Sequence, residues 1–168
     1  MDFRLAVIQD LPQIKAVYKN IIEKMNREQI QIWDDVYPCK FFEEDIRNHR
    51  LYVLVESDEI VSAFVLCDTN TGVKSIEWQN DQGRVLYLDR LGVNVNYSGM
   101  GIGSFMLERA KETAKSLGAE YLRLFVVDIN ELAIRLYIKN GFKRGNGVYD
   151  EVIDDDLILR EYGFEAEL

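Results

Sequence analysis

Residues 93–104 read Val-Asn-Val-Asn-Tyr-Ser-Gly-Met-Gly-Ile-Gly-Ser. The β-rich run Val85–Val93 comes directly before this stretch, and apolar residues at helical spacing follow it as far as Leu117. Glycines between a strand and a helix allow a tight turn and present several N–H groups at the helix N-terminus. Because the helix dipole favours negative charge at that end, the stretch is suited to binding a pyrophosphate. The same glycines would equally suit a turn that binds no ligand.

Two well-known nucleotide motifs do not fit this stretch. A dinucleotide fingerprint requires GxGxxG after the first strand of a βαβ unit, whereas Gly99, Gly101 and Gly103 are evenly spaced and several elements precede them. A Walker loop requires Gly-Lys followed by Ser or Thr, and no such tripeptide follows here. The glycines therefore do not indicate either kind of nucleotide site.

A second segment, residues 130–142, reads Asn-Glu-Leu-Ala-Ile-Arg-Leu-Tyr-Ile-Lys-Asn-Gly-Phe. Together with the glycine stretch it resembles the two coenzyme A segments of the GNAT acetyltransferase superfamily. The loop of that family has Gln or Arg, two residues, Gly, one residue and then Gly or Ala, and its glycines correspond to Gly101 and Gly103. The second segment of the family has landmarks that fall at the same spacing on Asn130, Ala133, Tyr137, Gly141 and Phe142.

The resemblance implies a coenzyme site formed by the glycine loop and the strand before it. The implied coenzyme-binding residues are Leu91, Val93, Ser98, Gly99, Met100, Gly101, Ile102, Gly103 and Ser104. Backbone groups near Leu91 and Val93 would bond to the acetyl carbonyl and the pantetheine amides, and the loop would hold the pyrophosphate. Two positions depart from the family: Ser98 replaces the usual Arg or Gln, and Val95 stands where many members have Pro. Backbone donors carry most of the phosphate binding, so the site is still expected.

The resemblance also assigns roles in the second segment. Asn130 would contact the coenzyme, and Tyr137 would donate a proton to the leaving thiolate, since a phenol is protonated at neutral pH. The alternatives are structural: Asn130 is then only a helix cap, and Tyr137 only packs against the sheet.

The general base is less clear from the sequence. An amine attacks as its free base, so a carboxylate, or a water that it holds, must accept a proton. Asp89 lies four residues before Val93, which places both on one face of a regular strand. Glu77 and Asp128 are further candidates, and a solvated acid with a water chain as acceptor is the alternative.

The acceptor is expected to carry an amine and a positive charge. Trp33, Asp34 and Tyr37 place two aromatic rings and an acid in the loop after the first helix, which suits a cationic amine. The same residues would also suit a packing patch or a dimer contact. Acids crowd the last 19 residues, either as a solvated edge or as a field that attracts a cation.

The resemblance implies an α+β fold of the GNAT type in a single domain, residues 1–168. We expect a mixed, mostly antiparallel sheet of six to seven strands with about four helices, splayed between the fourth and fifth strands. The apolar patterns predict strands over 3–7, 51–56, 60–67, 85–93, 121–127, 142–149 and 157–162, and helices over 11–25, 41–48, 105–117 and 131–139. Residues 68–83 are predicted as a long hairpin loop or a small extra strand.

Composition excludes several classes of protein. A net charge of -9 argues against non-specific binding to nucleic acid. No apolar run approaches the length of a membrane span, and the first residues do not resemble a signal peptide, so we expect a cytoplasmic protein. Cys39, Cys67 and His49 lack the spacing of a zinc site, and no metal is expected. The sequence leaves open whether the chain is a monomer or a homodimer.

The sequence therefore predicts an N-acetyltransferase. It would move an acetyl group from acetyl-coenzyme A to an amine of a small molecule, a peptide N-terminus or a lysine, by direct attack. A non-catalytic module that binds acetyl-coenzyme A as a sensor or scaffold is the alternative from a different class. A third reading keeps the fold and uses another donor such as succinyl-coenzyme A.

Overall fold

The computed structural model describes residues 1–168, except for the side chain of residue 154. Its helices are α1 (Leu11–Arg27), α2 (Phe42–Arg47), α3 (Ile102–Ser116) and α4 (Glu131–Lys139). Its strands are β1 (Asp2–Leu5), β2 (Leu51–Glu56), β3 (Glu59–Cys67), β4 (Val85–Val93), β5 (Tyr121–Val127), β6 (Lys143–Arg144), β7 (Tyr149–Asp154) and β8 (Leu157–Glu167). The strand order is β1-β2-β3-β4-β5-β8-β6, with β7 paired to β8. The predicted α+β class with four helices is confirmed.

The strand count is higher than predicted, because residues 142–149 do not form one strand. Lys143–Arg144 pairs with β8, and a separate strand begins at Tyr149. Between them Gly145 donates its N–H to the carbonyl of Gly163, and Asn146 forms an isolated bridge with Glu77. Gly147 then adopts a φ of 100°, which turns the chain out of the extended conformation. The apolar pattern alone does not reveal this break.

The chain divides into two compact units. The first contains Met1–Leu66 and Arg90–Met106. In it β2 pairs antiparallel with both β1 and β3, and the middle of β3, residues 60–66, is buried throughout. Helix α1 buries residues at helical spacing, namely Ile14, Val17, Tyr18 and Ile22. The apolar pattern that predicts a helix over 11–25 therefore marks the inward face of this helix.

The second unit contains Cys67–Asp89 and Leu107–Leu168. The β4–β5 pair is parallel, from Val85↔Tyr121 to Leu88↔Leu124, and the ladder ends there although β5 continues to Val127. This is the strand pair at which a separation is predicted. All other pairs described in the unit are antiparallel, and β5 pairs with β8 along its whole length. None of the helices in the described part of the chain is both long and apolar enough to cross a bilayer.

Candidate functional site

The glycine loop follows β4 in the first unit. Gly99 and Gly101 adopt φ angles of 77° and 78°, a left-handed conformation that side chains with a Cβ rarely adopt. A Cβ at either glycine would meet no atom within 4 Å, so conformation and not crowding requires glycine there. Helix α3 begins at Ile102, and the first N–H groups of a helix have no acceptor within it. The loop therefore leads into a helix N-terminus that carries the positive end of the helix dipole.

Asn94 anchors this loop. Its side chain is buried, accepts a hydrogen bond from the N–H of Asn96 (3.1 Å) and donates one to the carbonyl of Ile60 (3.0 Å). The hydroxyl of Tyr97 donates to Glu59 (2.9 Å). The turn that enters the glycines is thus bonded to β3 through Glu59, Ile60 and Val61.

The end of β4 is not a regular strand. Arg90 has a φ of 53°, which is uncommon for a residue with a side chain. The regular alternation that places Asp89 and Val93 on one face is therefore interrupted between them. Leu91 and Val93 follow this residue and are half-buried.

The predicted acceptor residues lie in the first unit, but they contact different partners. The ring of Trp33 packs on that of Tyr18, with 5.5 Å between centroids. Tyr37 packs on Phe41, and both rings carry the guanidinium of Arg90, at 5.7 Å and 5.1 Å. Tyr37 therefore already holds a cation that belongs to the chain.

Two acids shape the same region. Asp45 is fully buried and pairs with Arg50 (2.7 Å) and Arg90 (3.6 Å). Asp34 accepts the N–H groups of Tyr37 (2.7 Å) and Val36 (2.8 Å), and these bonds lower the pKa of its carboxyl. Both acids stabilise the conformation of the loop and of Arg90.

In the second unit, α4 carries the second predicted segment. The side chain of Asn130 accepts from the N–H of Ala133 (3.3 Å) and caps the helix. Tyr137 lies on the half-buried face, with ring centroids 6.0 Å from Phe142 and 6.3 Å from Phe164. Burial, and to a lesser degree the charge of Asp89, raises the pKa of Tyr137, so the phenol stays protonated at neutral pH. The contacts of the structural alternatives are therefore present: Asn130 caps α4, and the ring of Tyr137 packs on Phe142 and Phe164.

Two carboxylates in this unit, Glu151 and Glu161, were not predicted as part of the site, whereas Asp89 was. Burial, then the charge of Glu151, then that of Asp89, raises the pKa of Glu161 to about 8. Burial and Asp89 also raise the pKa of Glu151. Glu161 pairs with Tyr149 in the β7–β8 ladder, and Glu151 follows Tyr149 by two residues on the same face of β7. We call Asp89, Glu151 and Glu161 the carboxylate cluster.

The other acids considered as bases lie elsewhere. Glu77 is exposed and bonds through its backbone to Asn146. Asp128 donates its N–H to the carbonyl of Arg160. Among all residues whose side chains are described, no three His, Cys, Asp or Glu gather in a way that would hold a metal ion.

Sequence reasoning missed several residues in each unit: Tyr18, Lys24, Ser62 and Arg90 in the first unit, and Glu151 and Glu161 in the second. Only Ser62 gives a local signal, because it is a polar residue within the buried run of β3. Tyr18 looks like one more member of an apolar stripe, and Glu161 like one more acid near the C-terminus. Their importance depends on contacts between elements distant in sequence.

Comparison with known proteins identifies related chains. The family model described as "Acetyltransferase (GNAT) family" matches residues 17–142. The thialysine N-epsilon-acetyltransferase of Bos taurus is 35% identical over 71 residues, which are 42% of this chain and 42% of that enzyme. A candidate phosphinothricin acetyltransferase, YwnH, of Bacillus subtilis (strain 168) is 27% identical over 146 residues, covering 84% of this chain and 83% of YwnH.

The fold also matches solved structures. A GNAT-family acetyltransferase from Streptococcus agalactiae superposes with a TM-score of 0.79 at 20% identity, covering 99% of this chain and 95% of that one. The similarity in fold thus extends over the whole chain, whereas the match to the bovine enzyme spans less than half of that enzyme.

Proposed function

The chain belongs to the acetyltransferase (GNAT) family, and on that premise we propose that it transfers an acetyl group from acetyl-coenzyme A to a primary amine. The observation that carries the proposal is the left-handed glycine turn at Gly99 and Gly101, which opens the N-terminus of α3 directly after β4. This arrangement supplies backbone donors and a positive dipole for a pyrophosphate. Gly99–Ser104 would bind the pyrophosphate, and Asn130 would contact the coenzyme.

The reaction that we propose is a direct transfer. The free amine attacks the acetyl carbonyl carbon, a C–N bond forms, and the C–S bond of the thioester breaks. The thiolate takes a proton from Tyr137, whose phenol is protonated at neutral pH. The proton released by the amine goes to the carboxylate cluster. Glu161 is the acceptor that we favour there, because a base whose pKa lies near the working pH is the more effective.

The acceptor that we propose is an amine on an amino-acid-like molecule, a peptide N-terminus or a lysine. The names of the bovine relative and of YwnH refer to two amino-acid-like amines. The chain's own Arg90 already lies over the ring of Tyr37, so this ring does not by itself indicate a cationic acceptor. A test panel should therefore hold amines with and without a second cation.

Titration with acetyl-coenzyme A, followed by a thiol-release assay over the panel, tests the proposal. We expect a Kd of about 1–100 µM and thiol release on at least one amine. Thialysine, phosphinothricin, lysine and short peptides are the first acceptors, and succinyl-coenzyme A is the donor control. Binding without release on any amine would favour the non-catalytic sensor, and no binding would contradict the proposal.

Lys24 supplies the positive charge that the loop lacks. The usual Arg or Gln of the family is Ser98 here, and the ammonium of Lys24, on the last turn of α1, lies 3.4 Å from the Ser98 hydroxyl. We include Lys24 among the groups that bind a coenzyme phosphate, since a cation beside backbone donors strengthens an anion site.

Replacing Lys24 with Gln should weaken the binding of acetyl-coenzyme A by about 3- to 10-fold and make the Kd less sensitive to salt. Arg27→Gln is the matched control, because it removes the same charge from the same exposed helix end. Calorimetric titration at two salt concentrations measures both effects. Equal losses in the two variants would show a general charge effect and would remove Lys24 from the site.

A further inference from the structure

Two buried hydroxyl groups hold the end of β4. Tyr18 on α1 and Ser62 on β3 are both fully buried. The Tyr18 hydroxyl contacts the carbonyl oxygens of Arg90 and Ala63, and donates its one proton to this pair. The Ser62 hydroxyl donates to the carbonyl of Gly92 at 2.6 Å. The carbonyls of Arg90 and Gly92, two residues apart on β4, are therefore held by the side chains of Tyr18 and Ser62.

Holding a carbonyl also orients the N–H of the next residue. A trans peptide is planar, and its C=O and N–H point in opposite directions. The carbonyl of Arg90 points to Tyr18, so the N–H of Leu91 points away from it. In the same way Ser62 directs the N–H of Val93. The N–H of Asn94 bonds to Val61 (2.8 Å) and the carbonyl of Gly92 bonds to Ser62, so positions 92 and 94 both face β3.

The packing around Arg90 and Gly92 also restricts the conformation at the end of β4. Arg90 is held in a left-handed conformation, which requires surrounding contacts to persist. A Cβ at Gly92 would lie 2.7 Å from the ring of Tyr18, so glycine allows that ring to approach the strand. The ring itself is fixed by Phe42, at 4.6 Å between centroids, and by Trp33. Tyr18 therefore has little freedom to release the carbonyl.

We propose that Tyr18 and Ser62 are positioning residues, which aim the N–H groups of Leu91 and Val93 at the acyl and pantetheine carbonyl oxygens of the coenzyme. The assignment rests on the proposed function, in which those N–H groups are the donors. Donors fixed before the reaction stabilise a developing oxyanion without rearrangement. Neither hydroxyl touches the substrate, so both act through the backbone of β4.

The variants Tyr18→Phe and Ser62→Ala remove the hydroxyls and little else. The measurement is kcat, together with the Kd values of acetyl-coenzyme A and of adenosine 3′,5′-bisphosphate, a probe that carries phosphates but no pantetheine. We expect kcat to fall by about 10- to 100-fold in the double variant, because N–H groups of β4 that are no longer held in position stabilise the developing oxyanion less well. The Kd for acetyl-coenzyme A should rise, while that for the bisphosphate stays within about twofold. Tyr52→Phe, a second tyrosine of the same unit, is the control for loss of a phenol.

The selective change is the decisive result, because simple destabilisation weakens the binding of both probes together. Equal weakening of the binding of both probes would overturn the assignment and leave the proposed function standing. The same holds if neither kcat nor the ratio of the two Kd values changes. A wild-type protein that binds neither probe would overturn the proposed function and, with it, this assignment. A thermal melt of each variant confirms that the folded protein is what is measured.

Discussion

Replacing Tyr137 with Phe is expected to lower kcat by about 10- to 1000-fold and to leave the Kd for acetyl-coenzyme A nearly unchanged. The hydroxyl is the group that we propose to protonate the leaving thiolate. The ring contacts with Phe142 and Phe164 remain in the variant, so the packing of α4 against β8 is preserved. Single-turnover thiol release and calorimetric titration measure the two quantities separately.

Tyr121→Phe is a matched control for this variant. Tyr121 lies on β5 in the same unit, and its phenol is also one whose pKa is raised, by burial and by acids that include Glu167. It has no role in the proposed reaction, so its variant should retain the wild-type kcat. If Tyr137→Phe keeps full turnover, Tyr137 is a packing residue and the thiolate is protonated by another group.

Much of the fold near the site was predictable because the deciding signals are local. The bounds of β4, β5 and α4 agree with the sequence prediction, since each element is a continuous apolar or periodic run with a turn residue at its end. Asn130 and Gly141, which adopts a φ of 84°, delimit α4 as capping chemistry predicts. These features need no knowledge of the rest of the chain.

What could not be predicted depends on contacts between distant elements. The left-handed conformation of Arg90 has no signal in its residue type, and it is observed beside Tyr18 and Asp45, far away in sequence. The break after β6 likewise depends on the bridge between Glu77 and Asn146. The resemblance locates the glycine loop and α4, and the catalytic roles assigned to them remain predictions.

The carboxylate cluster shows the same limit for the site itself. Asp89 was proposed from the strand pattern, whereas Glu151 and Glu161 come from a hairpin more than 60 residues later. A carboxyl pKa is raised when burial removes water and neighbouring carboxylates repel its charge, and both effects require the folded pairing of β7 and β8. The sequence alone shows a run of acids near the C-terminus and does not indicate that Glu161 is the one whose pKa is raised to about 8.

Glu161→Gln should lower kcat/KM by about 100-fold or more, and it should abolish the rise of kcat/KM through about pH 8. The reason is that only the ionised Glu161 can accept the proton of the attacking amine, and its pKa of about 8 sets where that form appears. The pH profile should be measured with an acceptor amine of higher pKa, so that the two ionisations are separate. Glu167→Gln, an exposed position on the same strand, is the control and should keep the wild-type profile.

The same substitution tests the cause of the raised pKa through stability. Between about pH 4.5 and about pH 8 the folded chain keeps a proton on Glu161 that the unfolded chain has lost, so the free energy of unfolding of the wild type falls as pH rises across that window. Glutamine has no such proton, and the fall should be smaller in the Glu161→Gln variant. Urea unfolding at several pH values measures the difference. Identical pH dependence in wild type and variant would show that Glu161 titrates as an ordinary solvated acid, and the proton would then have to pass to Asp89, Glu151 or water.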